Sequence, residues 1–252
     1  MLTIVTVLLF FYVLLFLLSI KIQDNSIVDI FWGIGFMIVA ILSYQQWIQE
    51  SPQKLLTLWV CLWGIRITSH IGRRKFQYNH EDSRYAKWRS EWKGVWYFYI
   101  RSFFQIYLLQ MLLLCIISIP IFLVNLAPNS TELGILSILG LWISLAGIVF
   151  EMIADIQLTK FIKMKKSGQI FMGWLYRYSR HPNYFGESIF WLGIGLISIP
   201  YSYFGIIGWI VITYLLLYVS GVPLQEAKYA GQSEWEAYKK KTNVFIPWSP
   251  KK

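Results

Sequence analysis

The chain is dominated by apolar runs long enough to cross a bilayer, and this leaves few folds open. A helix of about 20 apolar residues spans the hydrocarbon core. Inside lipid every backbone N–H and C=O must be paired within its own segment, so a bundle of helices is the expected architecture. Such runs lie near Leu2–Ile20, Ile27–Tyr44, Leu55–His70, Trp96–Val124, Leu133–Ile153, Tyr184–Ile199 and Phe204–Val222. They predict an all-α, polytopic membrane bundle of seven transmembrane helices, built as one integral-membrane domain over residues 1–252. The fourth run is long enough to tilt or to start in the interface, and the sixth is short.

Composition supports this reading and closes others. Hydrophobic residues make up 56% of the chain and charged ones 14%, against roughly 45–50% and about 25% in a soluble domain. With 13 Trp, 16 Tyr and 17 Phe, the chain has ample apolar surface to offset the entropy of ordering, so disorder is excluded as well. Met1–Ile20 lacks a basic leader and a small-residue cleavage site, and reads as the first span, not a signal peptide. Cys61 and Cys115 sit in apolar runs and read as small hydrophobes.

Basic residues crowd alternate connections: Arg73, Arg74, Lys75, Arg84, Lys87, Arg89 and Lys93 after span three, Lys160–Lys166 with Arg177 and Arg180 after span five, and Lys228 and Lys239–Lys241 in the tail. The connections that alternate with these are nearly bare, with only Lys54 in the whole set. This pattern predicts an outside N-terminus and a cytoplasmic C-terminus. The net charge of +10 is thereby spent on loops facing anionic headgroups, so membrane lipids are the expected partners. Neither nucleic acid nor an obligate protein partner is expected.

Ionisable groups at membrane depth are functional candidates by default. Glu151 and Asp155 stand at i and i+4 near the end of span five and share a helix face. Either they pair with bases of the following loop, or they accept hydrogen bonds from a polar ligand held between helices. The stretch Tyr176-Arg177-Tyr178-Ser179-Arg180-His181-Pro182-Asn183-Tyr184-Phe185-Gly186-Glu187 places a proline where span six should start. Arg177, Arg180 and His181 before that start suggest an anion site. Asn183 and Glu187 again fall at i and i+4, a pair suited to a carboxamide or ribose hydroxyls, or else to a capping network. Glu81-Asp82-Ser83-Arg84-Tyr85, with His70 and Arg74 upstream, reads as a solvated loop of mixed charge. Asp29 enters span two either as a helix-start carboxylate or as a cavity group. The tail, Gln225 to Trp248, is an interfacial anchor or a lid.

Some chemistries fall on counts. The chain has neither a Gly-x-Gly-x-x-Gly turn nor a Walker-type loop. Three histidines, His70, His80 and His181, are too few for a membrane di-iron oxidase, so no metal site is expected. No nucleophile elbow is present.

Tyr178-Ser179-Arg180-His181-Pro182-Asn183-Tyr184-Phe185-Gly186-Glu187 closely resembles the steroid 5-alpha-reductase family of membrane enzymes, in particular its broad bacterial branch. The likeness continues through Val28–Gly33, Trp63–Arg66, Glu81–Tyr85, Glu151–Gln157 and Phe245–Trp248. It implies a seven-helix bundle whose cofactor-binding half, about 133–252, holds NADPH beside a lipid-accessible cavity for a sterol-like or other apolar enone. A bacterial inner membrane follows from the same resemblance. The implied cofactor residues are Arg74, Arg84, Glu151, Asp155, Tyr178, Arg180, His181, Asn183, Tyr184 and Glu187. At Glu151 the eukaryotic reductases have Asn.

The chain departs from that family at the proton donor. The characterised reductases carry a Tyr shortly after a His on span three, working with an acid from span two, whereas Ile71 follows His70 here. The nearest phenols, Tyr78 and Tyr85, are expected in a loop, and Asp29 is the acid nominated for catalysis. Isoprenylcysteine carboxyl methyltransferases share an Arg-His-Pro-x-Tyr segment and a basic, aromatic tail but bind S-adenosylmethionine. They usually show two adjacent acids where this chain has Gln225-Glu226. A non-catalytic lipid-binding membrane protein is the third class.

Overall fold

The structure is a computed structural model, and it describes residues 1–46, 50–78, 80–128, 132–166 and 168–251. Among these the regular structure is helical, with extended pairing confined to an isolated parallel bridge between Ser179 and Asn243. It divides into two compact units, Met1–Leu133 and Gly134–Lys252.

The first unit begins with α1 (Leu2–Ile22), α2 (Ile27–Tyr44) and α3 (Ser51–Tyr78). A short α4 (Ser83–Glu91) and α5 (Val95–Ser102) follow, then a π-helical stretch (Phe103–Leu108), α6 (Leu109–Ile117) and α7 (Ile119–Asn125). The backbones of α2 and α3 meet at two glycines: a Cβ on Gly33 would lie 2.5 Å from the Gly64 carbonyl oxygen. Lipid offers no hydrophobic drive between helices, so close approach at small residues and interhelical hydrogen bonds hold such a pair. Asn125 supplies the hydrogen bonds, its Nδ2 donating to Ala40 O, Ser43 Oγ and Thr57 Oγ1 at 3.0–3.1 Å. The expected single run Trp96–Val124 is broken near Ser118, because Pro120 has no N–H to continue the ladder and instead fits the first turn of α7.

The second unit opens with α8 (Ile135–Met164). A 3-10 turn (Trp174–Arg177) leads into α9 (Pro182–Ser198). Then come α10 (Ile206–Tyr214), running on through a π-helical stretch (Leu215–Val219), α11 (Val222–Glu226) and α12 (Ser233–Lys241). Pro182 opens α9, as expected from its fixed φ and missing donor. Along α8, Gly140, Ser144, Gly147 and Glu151 form one stripe that lies on Gly186, Phe190, Gly193 and Ile197 of α9. A Cβ on Gly147 would stand 2.4 Å from the Phe190 nitrogen, and one on Gly193 would stand 2.4 Å from the Gly140 carbonyl oxygen. Ser144 Oγ donates to Phe190 O at 3.2 Å across the seam.

Among the described residues six helical stretches are long and apolar enough to cross a membrane: Leu2–Ile22, Ile27–Tyr44, Ser51–Gln77, Val95–Ile117, Ile135–Met164 and Tyr203–Tyr229. With apolar side chains such as Leu2, Phe10, Leu17 and Trp142 exposed along them, the chain is an integral membrane protein. The expected sixth run, Tyr184–Ile199, corresponds to α9, whose 17 residues make it shorter than those six. Most of α9 is buried, from Gly186 to Ser198, on several sides at once, as befits a helix that is apolar all round.

Candidate functional site

In the first unit, acids in and after the α1–α2 turn gather the bases of the segment around α4. Asp24 pairs with Lys75 near the end of α3. Glu81 accepts from the Asn25 N–H at 2.8 Å and from Arg89 at 2.9 Å. Asp29, in the first turn of α2, is the centre. Its Oδ2 accepts from Arg84 Nη2 and its Oδ1 from the Tyr85 hydroxyl, both at 2.7 Å. Gln110 Nε2 donates to the same phenol oxygen at 3.1 Å. Tyr85 is 2% exposed. Burial, then the charge of Asp29, pushes its phenol well above the ordinary value, so it keeps its proton at neutral pH. Burial opposes the charge on Arg84, but Asp29, Tyr85 and Asp82 outweigh that penalty and hold its guanidinium ionised.

Tyr85 corrects the expectation of a loop phenol. Asp82 takes the N-cap position, accepting from the Arg84 N–H at 3.0 Å, and starts a helix. On that helix Tyr85 and Trp88 lie one turn apart, with ring centroids 5.6 Å apart. The signal was present as an Asp before a stretch with aromatics at 85, 88 and 92. Tyr78 closes α3, and its side chain lies outside the described residues.

In the second unit the α8–α9 seam ends in the acids. Glu151 and Asp155 are buried on α8, and Glu187 is buried on α9. Asn183 Nδ2 donates to Asp155 Oδ1 at 3.3 Å, so the amide of the first turn of α9 does meet the carboxylate of α8. Gly186 lets this end of the seam close: a Cβ there would stand 2.6 Å from the Glu151 nitrogen. His181 and Tyr184 stack with centroids 5.4 Å apart and planes within 6°.

The tail holds the loop before α9. Arg180 Nε donates to Glu226 at 2.8 Å, and its Nη1 reaches the carbonyls of Thr242 (2.7 Å) and Lys239 (3.2 Å). His181 Nε2 lies 3.1 Å from the same Glu226 oxygen. Ser179 Oγ donates to Phe245 O at 2.7 Å, the Trp248 N–H donates to Tyr178 O at 3.0 Å, and the Tyr238 hydroxyl donates to Tyr176 O. Replacing Arg180 by Ala should therefore release the tail, because two carbonyls and a part-buried carboxylate lose a charged donor. Trypsin should then cut at Lys239–Lys241 at least about tenfold faster than in the parent protein. Equal cleavage rates would show that the clasp does not depend on this side chain.

Of the residues expected at a site, Asp29 and Arg84 come together in the first unit, while Arg74 is exposed on α3. In the second unit Glu151, Asp155, Asn183 and Glu187 gather where α8 meets the start of α9, with Tyr184 stacked on His181. Arg180 and His181 are joined to Glu226, and Tyr178 takes part through its backbone, its side chain being exposed. Sequence reasoning did not find Gln110 or the Glu226 clasp, whose partners lie 25 and 45–46 positions away. A cleft of about 360 Å³ beside the tail is lined by Arg177, Glu234, Tyr238 and Lys241.

An uncharacterized protein of Schizosaccharomyces pombe, C594.04c, is 25% identical over 188 residues, covering 66% of this chain. The chain spans about half (51%) of the length of that curated relative. No solved structure matches. Residues 15–242 match the family described as "Protein of unknown function (DUF1295)", and the chain belongs to that family.

Proposed function

We propose that this protein is a membrane-embedded, NADPH-dependent reductase of a carbon–carbon double bond in an apolar, sterol-like or other lipid enone. The observation that carries this reading is the buried Tyr85–Asp29 pair, because it supplies the acid that the residues after His70 lack. When an enone is reduced, negative charge grows on its oxygen and a positioned donor is needed there. The Tyr85 hydroxyl is protonated and held by Asp29 at 2.7 Å. On giving up its proton the phenol becomes an anion. Gln110 Nε2 already donates to that oxygen, and the Arg84 guanidinium lies 5.2 Å from the ring centroid, where each would stabilise the charge. Asp29 is then a positioning residue for the phenol and for Arg84.

The second unit offers the cofactor residues. Glu151, Asp155 and Glu187 are acceptors and Asn183 is both donor and acceptor, a set that suits ribose hydroxyls and a carboxamide. Bound NADPH would supply the hydride. Arg84 and Arg180 serve carboxylates within the chain, so the phosphates would fall to the exposed Arg177 and Lys241 of the second unit. The proposal includes seven crossings, α9 being the short one, with an outside N-terminus and a cytoplasmic C-terminus in a bacterial inner membrane. The distribution of Lys and Arg supports that orientation.

The test is thermal unfolding of the detergent-purified protein with NADPH, NADH and S-adenosylmethionine. A ligand present at 100 times its Kd adds about 2.7 kcal/mol to the folded state, which shifts the midpoint by several degrees. NADPH is expected to raise the midpoint most. A rise with S-adenosylmethionine alone would replace this reading by a methyltransferase.

A further inference from the structure

Tyr176 is a buried phenol whose hydroxyl does not take part in holding the fold. It lies in the 3-10 turn ahead of α9, which is fixed from outside its side chain. The Leu175 N–H donates to Gln157 Oε1 of α8 at 3.1 Å, Thr242 Oγ1 donates to Arg177 O at 3.3 Å, and the Tyr238 hydroxyl donates to the carbonyl of Tyr176 itself. The ring packs on Phe171 with centroids 4.9 Å apart, and the residue is 5% exposed. Yet its hydroxyl has no hydrogen-bond partner among the described residues. A buried Tyr ordinarily finds one, because an unpaired hydroxyl has lost water and gained nothing.

The neighbours indicate what would satisfy it. Burial raises the Tyr176 phenol above its ordinary value and the charge of Asp155 acts in the same direction, so the side chain is a protonated donor, and its turn is tied through the Leu175 N–H to Gln157, two residues beyond Asp155 on α8. Asp155, which accepts from Asn183 Nδ2 at 3.3 Å, is an acceptor in the acid–amide face. We propose that the Tyr176 hydroxyl reads the ligand of this site, donating to a group that in turn donates to Asp155. Among the groups an organic ligand can present, an alcohol or a primary carboxamide accepts one hydrogen bond and gives another. Both occur on the dinucleotide proposed above, and the inference rests on that site holding a ligand.

Tyr176→Phe separates a ligand-reading role from a structural one by sign. Parent and variant are compared by thermal unfolding and by titration with NADPH, with its acetylpyridine analogue and with S-adenosylmethionine. Without ligand, the variant should unfold at the same temperature or higher, since it loses an unpaired polar group. Its Kd for NADPH should rise about tenfold. The analogue keeps the carbonyl but lacks the amide donor. It should bind the parent protein as NADPH does if Tyr176 reads a ribose hydroxyl, and more weakly if it reads the carboxamide. Should the parent bind S-adenosylmethionine and not NADPH, the reductase reading fails. The inference still stands if Tyr176→Phe weakens that ligand, whose ribose offers the same hydroxyls. A lower unliganded midpoint, an unchanged affinity for whichever ligand the parent binds, or a parent that binds none of them overturns it.

Discussion

Phenylalanine at position 85 is expected to reduce turnover of an apolar enone about 10²–10⁴-fold, the range for losing a general acid, while the NADPH-induced rise in midpoint persists. The substitution keeps the ring against Trp88 and removes only the hydroxyl between Asp29 and Gln110. NADPH consumption with a panel of detergent-dissolved enones measures the first quantity, and thermal unfolding measures the second. Because an equal loss of cofactor binding would mean a damaged fold, the two must part company for Tyr85 to be the acid. Undiminished turnover in Tyr85→Phe would transfer the proton to another group and leave the Asp29 cluster a structural knot.

Leucine at position 147 should have the largest effect on stability. The Cβ alone would sit 2.4 Å from the Phe190 nitrogen and 2.8 Å from the Gly186 carbonyl and the Phe190 Cα, all backbone atoms that cannot rotate aside. Overpacking a core costs about 1–3 kcal/mol where side chains yield; here two helices must separate, so a loss of about 3 kcal/mol or more is expected. Parting α8 from α9 would also draw Glu151 away from Gly186, so nucleotide binding should fall with stability. Gly134→Leu is the control, since a Cβ at that helix start meets nothing within 4 Å. A wild-type midpoint for Gly147→Leu would mean that the seam is looser than these distances state.

The sequence made the spanning stretches readable because hydropathy is a local property. Leu2–Ile22 and Ile27–Tyr44 emerge within two residues of the runs that announced them. Pro182 fixed the start of α9 for an equally local reason. What stayed hidden depends on partners distant in the chain. Nothing near Asp29 reveals that it will hold Arg84 and Tyr85, 55 and 56 positions on. Nor does Glu226, read as one half of Gln225-Glu226, disclose that it closes a loop at Arg180 and His181. Tyr85 was misplaced because a stretch rich in charged residues resembles a solvated loop, whereas the capping carboxylate of Asp82 starts a helix that Asp29 and Glu81 then hold. The two carboxylates of α8 were recognisable from their spacing, but their burial was not. It follows from Gly186 and its neighbours, which bring the helices together.

The clasp around Ser179 and Arg180 also sets an order of events during biosynthesis. Its holding groups, from Tyr238 and Thr242 to Phe245 and Trp248, are translated after every apolar helix described above. A ribosome-bound nascent chain can thus have made every apolar helix described above while the Tyr176–His181 loop is still unsecured. Until synthesis passes Trp248, that loop lacks the tail groups that hold it.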